Sequence, residues 1–120
     1  MKISNYKELV AYKKSMELVK AVYALTGEFP KDEKYGLINQ MRRCVISVPS
    51  NIAEGYMRGS KEYVQFLRVA LGSCAEIETQ LLISKDLGFS SESDFNQLFA
   101  LNEEILKLLR TYISKMSTNR

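Results

Sequence analysis

Gln40, Arg43, Ser47, Ser50, Asn51 and Glu54 recur at three- and four-residue spacings, which gathers them on one side of a helix turning about 100° per residue. Leu37, Ile38, Met41, Cys44, Val45, Val48 and Ile52 collect on the other side. A solvated face is ordinarily built from Lys and Glu, which hydrate readily and favour helix. Ser and Asn have lower helix propensity, so a face of short hydrogen-bonding groups around one guanidinium suits contact with another molecule. A second chemistry surrounds it. Arg42, Arg43, Arg58, Lys61 and Arg68 lie in one stretch of chain, with Lys13, Lys14 and Lys20 upstream, and arginine grips phosphate bidentately. On a chain of net charge +3 two readings stand: a solvated surface, or a phosphate-binding patch that an oligomer would multiply.

Acid–base and metal chemistry find little support. Histidine is absent, which removes the commonest general base and metal ligand and excludes Ser–His and Cys–His nucleophile pairs. Glu54, Glu62, Glu76 and Glu78 remain as candidate acids or ligands. Glu76 and Glu78 fall on different sides of their helix, with no nucleophile beside them, and these carboxylates are expected to pair with nearby Arg and Lys. Cys44 and Cys74 show no CxxC spacing and read as buried, reduced thiols. No catalytic residue, cofactor or metal site is predicted.

The elements that must position these groups are helices. The 120 residues fit one domain, 1–120, with one core, and no apolar run is long enough to span a bilayer. The opening MKISNYKE lacks an apolar signal region, so a cytoplasmic protein without a membrane partner is expected. Four helical segments are predicted, over about 5–26, 32–54, 60–87 and 92–116. Asn5 with Glu8 suggests a capping box for the first, Gly27 its stop, Asp32 the second N-cap, Gly55 the second stop, and Gly88 the third. Short connections between such helices favour an antiparallel up-down-up-down four-helix bundle. Pro49 falls inside the second helix, where it removes a donor, crowds the Val45 carbonyl, costs about 3 kcal/mol and is expected to kink the helix.

Two features point to a partner. In the third helix, Tyr63, Phe66, Ala70, Cys74, Ile77 and Leu81 form the bundle-facing stripe, and Val64, Leu71, Ala75 and Leu82 a second one. In the first helix, Leu18, Val22 and Leu25 lie beside a main stripe of Leu9, Tyr12, Met16, Val19 and Tyr23. A monomeric bundle needs only about three apolar residues per heptad on each helix, so the surplus predicts a homo-oligomer. Gln80 and Asn102 fall inside apolar arcs, where interhelical hydrogen bonds would satisfy them.

The pattern Phe29-Pro30, Glu33, Tyr35-Gly36-Leu37, Gln40, Arg42-Arg43, Ser47, Pro49-Ser50-Asn51-Ile52-Ala53-Glu54-Gly55 resembles the four-helix bundle proteins encoded by intervening sequences in bacterial 23S rRNA genes. The resemblance continues through Phe66-Leu67, Ala70, Gly72-Ser73, Glu76, Glu78, Gln80-Leu81 and Leu87-Gly88-Phe89. Tyr12 stands where the family usually has Trp. The resemblance implies a homopentameric ring. It also implies two candidate associations, with rRNA or other nucleic acid, or with a protein partner such as a reverse transcriptase, neither of which carries over residue by residue; Arg42, Arg43, Arg58, Lys61 and Arg68 are the nucleic-acid candidates on their charge alone. The shared motif of Gln40, Arg43, Ser47, Pro49, Asn51, Glu54 and Gly55 is largely structural and is expected to set how helices and subunits meet.

Overall fold

The computed structural model describes residues 5–118, and among these every regular element is helical. The four long helices are α1 (Val10–Thr26), α2 (Asn39–Arg58), α3 (Ser60–Asp86) and α4 (Glu92–Thr118). Each packs on the next in chain order, and α1 also packs on α4. Leu18, Met41, Val48, Ile52, Leu67, Ile77, Leu81, Ile105 and Leu109 are the large side chains enclosed between them.

The first helix begins later than its capping pattern suggests. Asn5 caps a separate 3-10 turn, Tyr6–Glu8, by accepting from the Lys7 N–H at 2.8 Å. Leu9 is extended (ψ 133°) and α1 starts at Val10. The break turns Tyr6 back onto the bundle, where its ring meets Tyr12 and Tyr56 edge-on. The core face of α1 is also the reverse of the expected one. Ala11, Ser15, Leu18, Val22 and Leu25 are buried, whereas Met16 and Tyr23 are exposed and Tyr12 and Val19 half-buried. Small residues at Ala11 and Ser15 let α1 approach the core on that side, and the larger tyrosines flank it.

Between α1 and α2 the chain makes a 3-10 turn over Lys31–Glu33 and a wide π-type turn over Lys34–Ile38. Glu33, not Asp32, supplies the cap, its Oε1 accepting from the Leu37 N–H at 3.2 Å. Gly36 is non-helical at φ −107°, ψ −112°, so the long second helix expected from position 32 starts at Asn39.

From there α2 runs unbroken through the buried Pro49 to Arg58. Gly55 does not end it. A Cβ at Gly55 would lie 2.5 Å from the Phe66 Cβ and 3.1 Å from a Tyr63 ring carbon, so the glycine is required by the close approach of α3. The actual break is Gly59, at φ 104°, a conformation that side chains with a Cβ rarely adopt. This one residue joins α2 to α3. Contacts then descend α2 as α3 ascends, from Gly55–Phe66 through Ser47–Ser73 to Met41–Ser84.

At the end of α3, Gly88 (φ 76°) and the Phe89 N–H to Ser84 carbonyl bond at 2.9 Å close the last turn as Leu87-Gly88-Phe89 predicts. The Ser91 hydroxyl caps α4 by accepting from the Asp94 N–H at 3.1 Å. Asn102 bridges α4 to α3, donating to the Cys74 carbonyl at 2.9 Å. The Gln80 side-chain oxygen, though buried, has no such partner among the described residues.

Candidate functional site

The polar side of α2 opens onto a groove shared with α3, of about 420 Å³ and lined by Tyr35, Asn39, Gln40, Arg43, Cys44, Ser47, Ser73 and Glu76. Its floor is fixed by short-range bonds. The Ser47 hydroxyl donates to the Cys44 carbonyl one turn back at 2.6 Å and is also bonded to the Ser73 hydroxyl across the helix interface. Helical serines commonly satisfy themselves in this way. The Cys44 thiol lies 3.3 Å from the Ser73 carbonyl. Burial, reinforced by the nearby Glu76 carboxylate, pushes that thiol up to about 12 from 9.0, which keeps it protonated and unreactive at neutral pH.

The rim carries the free groups. Arg43 and Glu76 are both exposed, and neither has an ion-pair partner among the described residues. Gln40 and Asn39 present carboxamides, and Tyr35 on the π-type turn is 85% exposed.

The polar face read from periodicity is divided by the structure. Gln40, Arg43 and Ser47 share the groove. Asn51 turns back on its own helix, donating to the Ser47 carbonyl at 2.7 Å. Pro49 and Ser50 line a different groove, of about 300 Å³ between α1 and α2, with Met16 and Ile46. Glu54 accepts from Arg58 at 2.8 Å, and Arg58 reaches Glu62 at 3.0 Å across the α2–α3 joint. Tyr35, Asn39 and Ser73 are members of the site that helical periodicity on α2 alone did not assign. Glu54 and Glu62 pair with arginine as expected, whereas Glu76 pairs with no cation among the described residues.

The basic residues do not form one patch. Arg42 caps the end of α1, its Nε donating to the Thr26 hydroxyl at 2.9 Å and a terminal nitrogen to the Tyr23 carbonyl at 3.2 Å. Arg58 lies 5.0 Å over the Phe66 ring between its two carboxylates, which hold its guanidinium more firmly protonated than usual. Their positions on α2 place Arg42 and Arg58 roughly 24 Å apart along the helix. Arg43 faces the polar groove and Lys61 stands exposed at the start of α3. Arg68 is joined by Arg110 of α4, a residue absent from the predicted set, over a trough of about 560 Å³ floored by Leu71, Gly72, Ala75, Leu106 and Ile113.

Among the described residues no group of three or more potential ligands is placed to hold a metal ion, and no helix is long and apolar enough to cross a membrane. No curated protein matches the chain. Its fold is similar to that of a crystallised protein of unknown function from the S23 ribosomal protein family of Bacteroides thetaiotaomicron VPI-5482. The TM-score is 0.80 at 22% identity, over 88% of this chain and 96% of that one. The description of the 23S rRNA-intervening sequence proteins matches residues 7–111. That span takes in all of α1 to α3, the polar groove and most of α4, and the chain belongs to the 23S rRNA-intervening sequence protein family.

Proposed function

We propose that the chain is a non-enzymatic subunit of a cytoplasmic homo-oligomer, an up-down-up-down four-helix bundle assembled as a ring of five. The ring holds RNA, or a ribonucleoprotein, on guanidinium groups left free at its surface. The observation that carries this reading is the pairing of Arg68 with Arg110 over one trough, both exposed and without a carboxylate partner among the described residues. Arg43 and Lys61 add free charge, whereas Arg42 and Arg58 are committed within the subunit. Repetition around a ring would multiply a modest +3 charge per chain into a field able to retain phosphates. Ring closure needs two unlike surfaces on each subunit, and the apolar groove between α1 and α2 supplies one candidate that leaves the arginine trough open.

The test is retention of 23S rRNA fragments by the purified protein at rising salt, with the mass of the assembly read by light scattering. The expected mass is near five times the 13.7 kDa chain, and the expected affinity falls steeply with salt and further in an Arg68→Ala, Arg110→Ala variant. An assembly that retains no RNA at low ionic strength sinks the RNA reading. The second reading, an adaptor for a protein partner such as a reverse transcriptase, is favoured by the exposed Met57 (72%) and Ile46 (42%) on α2. It predicts an intact ring that captures such a partner while ignoring RNA.

A further inference from the structure

The groove between α2 and α3 has a different chemistry from the arginine trough. It sets one acceptor-only carboxylate, Glu76, beside two carboxamides, Asn39 and Gln40, and one free guanidinium, Arg43. An aromatic ring stands at its rim. Tyr35 is almost fully exposed, although the turn beneath it is held by the Glu33 bond to the Leu37 N–H. The Lys34 ammonium lies 5.5 Å over the centre of that ring, and no other ring or cation covers it among the described residues. The Glu76 carboxylate takes a hydrogen bond from the neutral Cys44 thiol but no cation pairs with it among the described residues, and an aromatic ring in water beside these polar groups has the makings of a stacking platform with an edge-reading site.

We infer that this groove receives a single unstacked guanine of single-stranded RNA. Glu76 reads its Watson–Crick edge, Asn39 or Gln40 donates to O6, Tyr35 stacks on the base, and Arg43 with Lys34 meets the flanking phosphates. The assignment rests on the RNA reading above and adds base choice to it. The two oxygens of a carboxylate match two adjacent donors, and the guanine edge offers them as N1–H and N2–H. Adenine and cytosine each place a ring-nitrogen acceptor beside the amino group, where a carboxylate repels it. Uracil flanks its one N–H with two acceptors. The Cys44 thiol beside Glu76 remains neutral and adds no competing charge to the floor.

The test uses the full chain with short single-stranded RNAs, all uridine or carrying one central guanosine, and with GMP, AMP, CMP and UMP alone. Binding is followed by calorimetry. The guanosine-bearing RNA is expected to bind about tenfold tighter than the all-uridine one, a difference of about 1.4 kcal/mol. Glu76→Gln is expected to abolish most of that preference. Tyr35→Ala should weaken both RNAs and Tyr35→Phe should restore them, all three changes being at exposed positions that circular dichroism can verify as folded. Arg68→Ala with Arg110→Ala should weaken both RNAs alike and leave the preference intact. GMP binding as tightly as the RNA would identify a free guanine nucleotide as the source and still support the groove. RNA retained equally with either sequence, or unaffected by Glu76→Gln and Tyr35→Ala, overturns the groove while leaving the arginine reading in place. Selective GMP binding without RNA retention does the reverse. Loss of the assembled mass in Glu76→Gln, with nucleotide binding unchanged, shows a subunit contact and also overturns it.

Discussion

The Arg42 guanidinium lies over Tyr23, 4.5 Å from its ring centre, while donating to that residue's own carbonyl at 3.2 Å. One side chain from α2 thus adds a second donor to the Tyr23 carbonyl, which also accepts from the Gly27 N–H at 3.1 Å, and ties the last turn of α1 to α2. The positive charge at a helix C-terminus adds a favourable dipole contribution.

Arg42→Ala is therefore expected to lower stability by about 1–2 kcal/mol in urea titrations. RNA affinity per folded molecule should change less than in the Arg68→Ala, Arg110→Ala variant. Arg42→Lys should recover only part of the loss, because an ammonium lacks the planar fork that bonds Thr26 and Tyr23 together.

Gly55→Ala should destabilise by about 1–3 kcal/mol, since the new methyl would sit 2.5 Å from the Phe66 Cβ. The same change at Gly72, where nothing lies within 4 Å of the added atom, should be neutral or stabilising because alanine favours helix. The urea midpoint should fall for Gly55→Ala and hold or rise for Gly72→Ala.

Tyr63 carries a buried hydroxyl with no partner among the described residues. Tyr63→Phe removes that unsatisfied group and should raise stability by up to about 1 kcal/mol, read as a higher thermal midpoint.

Alkaline pH should loosen the bundle. Burial pushes the Cys44 and Cys74 thiols up to about 12 from 9.0, and the Tyr63 phenol up to about 12 from 10.0. Each group holds its proton more tightly folded than unfolded. Its contribution is thus full below the unfolded value and is lost as pH rises, from 9.0 towards 12 for the thiols and from 10.0 towards 12 for the phenol. Urea midpoints should fall between about pH 8 and about pH 10.5, and replacing both cysteines by alanine should narrow the difference.

Much of this was legible in the sequence because α2 and the two ends of α3 follow local rules. Met41, Val45, Val48 and Ile52 fall on the buried side as their spacing requires, and Leu87-Gly88-Phe89 ends α3 through its positive φ. Where the reading failed, a tertiary contact decided the outcome. Gly55 looks like a helix stop until Phe66 is seen pressing on it. The tyrosines of α1 look like core until Ala11 and Ser15 take the tighter approach. The polar face of α2 is continuous by angle, yet Asn51 and Glu54 are drawn away from it by the Ser47 carbonyl and by Arg58. Tyr35, Asn39 and Ser73 join the groove only because the π-type turn and the register of α3 bring them there, neither of which periodicity encodes.

Gly59, the single residue between α2 and α3, also bears on the order in which the molecule assembles. A joint this short costs almost no loop-closure entropy, so contacts such as Gly55–Phe66 form between residues near in sequence, ahead of the distant pairing of α1 with α4. The α2–α3 hairpin is thus expected to gain amide protection first in pulse-labelled hydrogen exchange. The groove that holds Arg43 and Glu76 would then take shape before the rest of the bundle closes around its other faces.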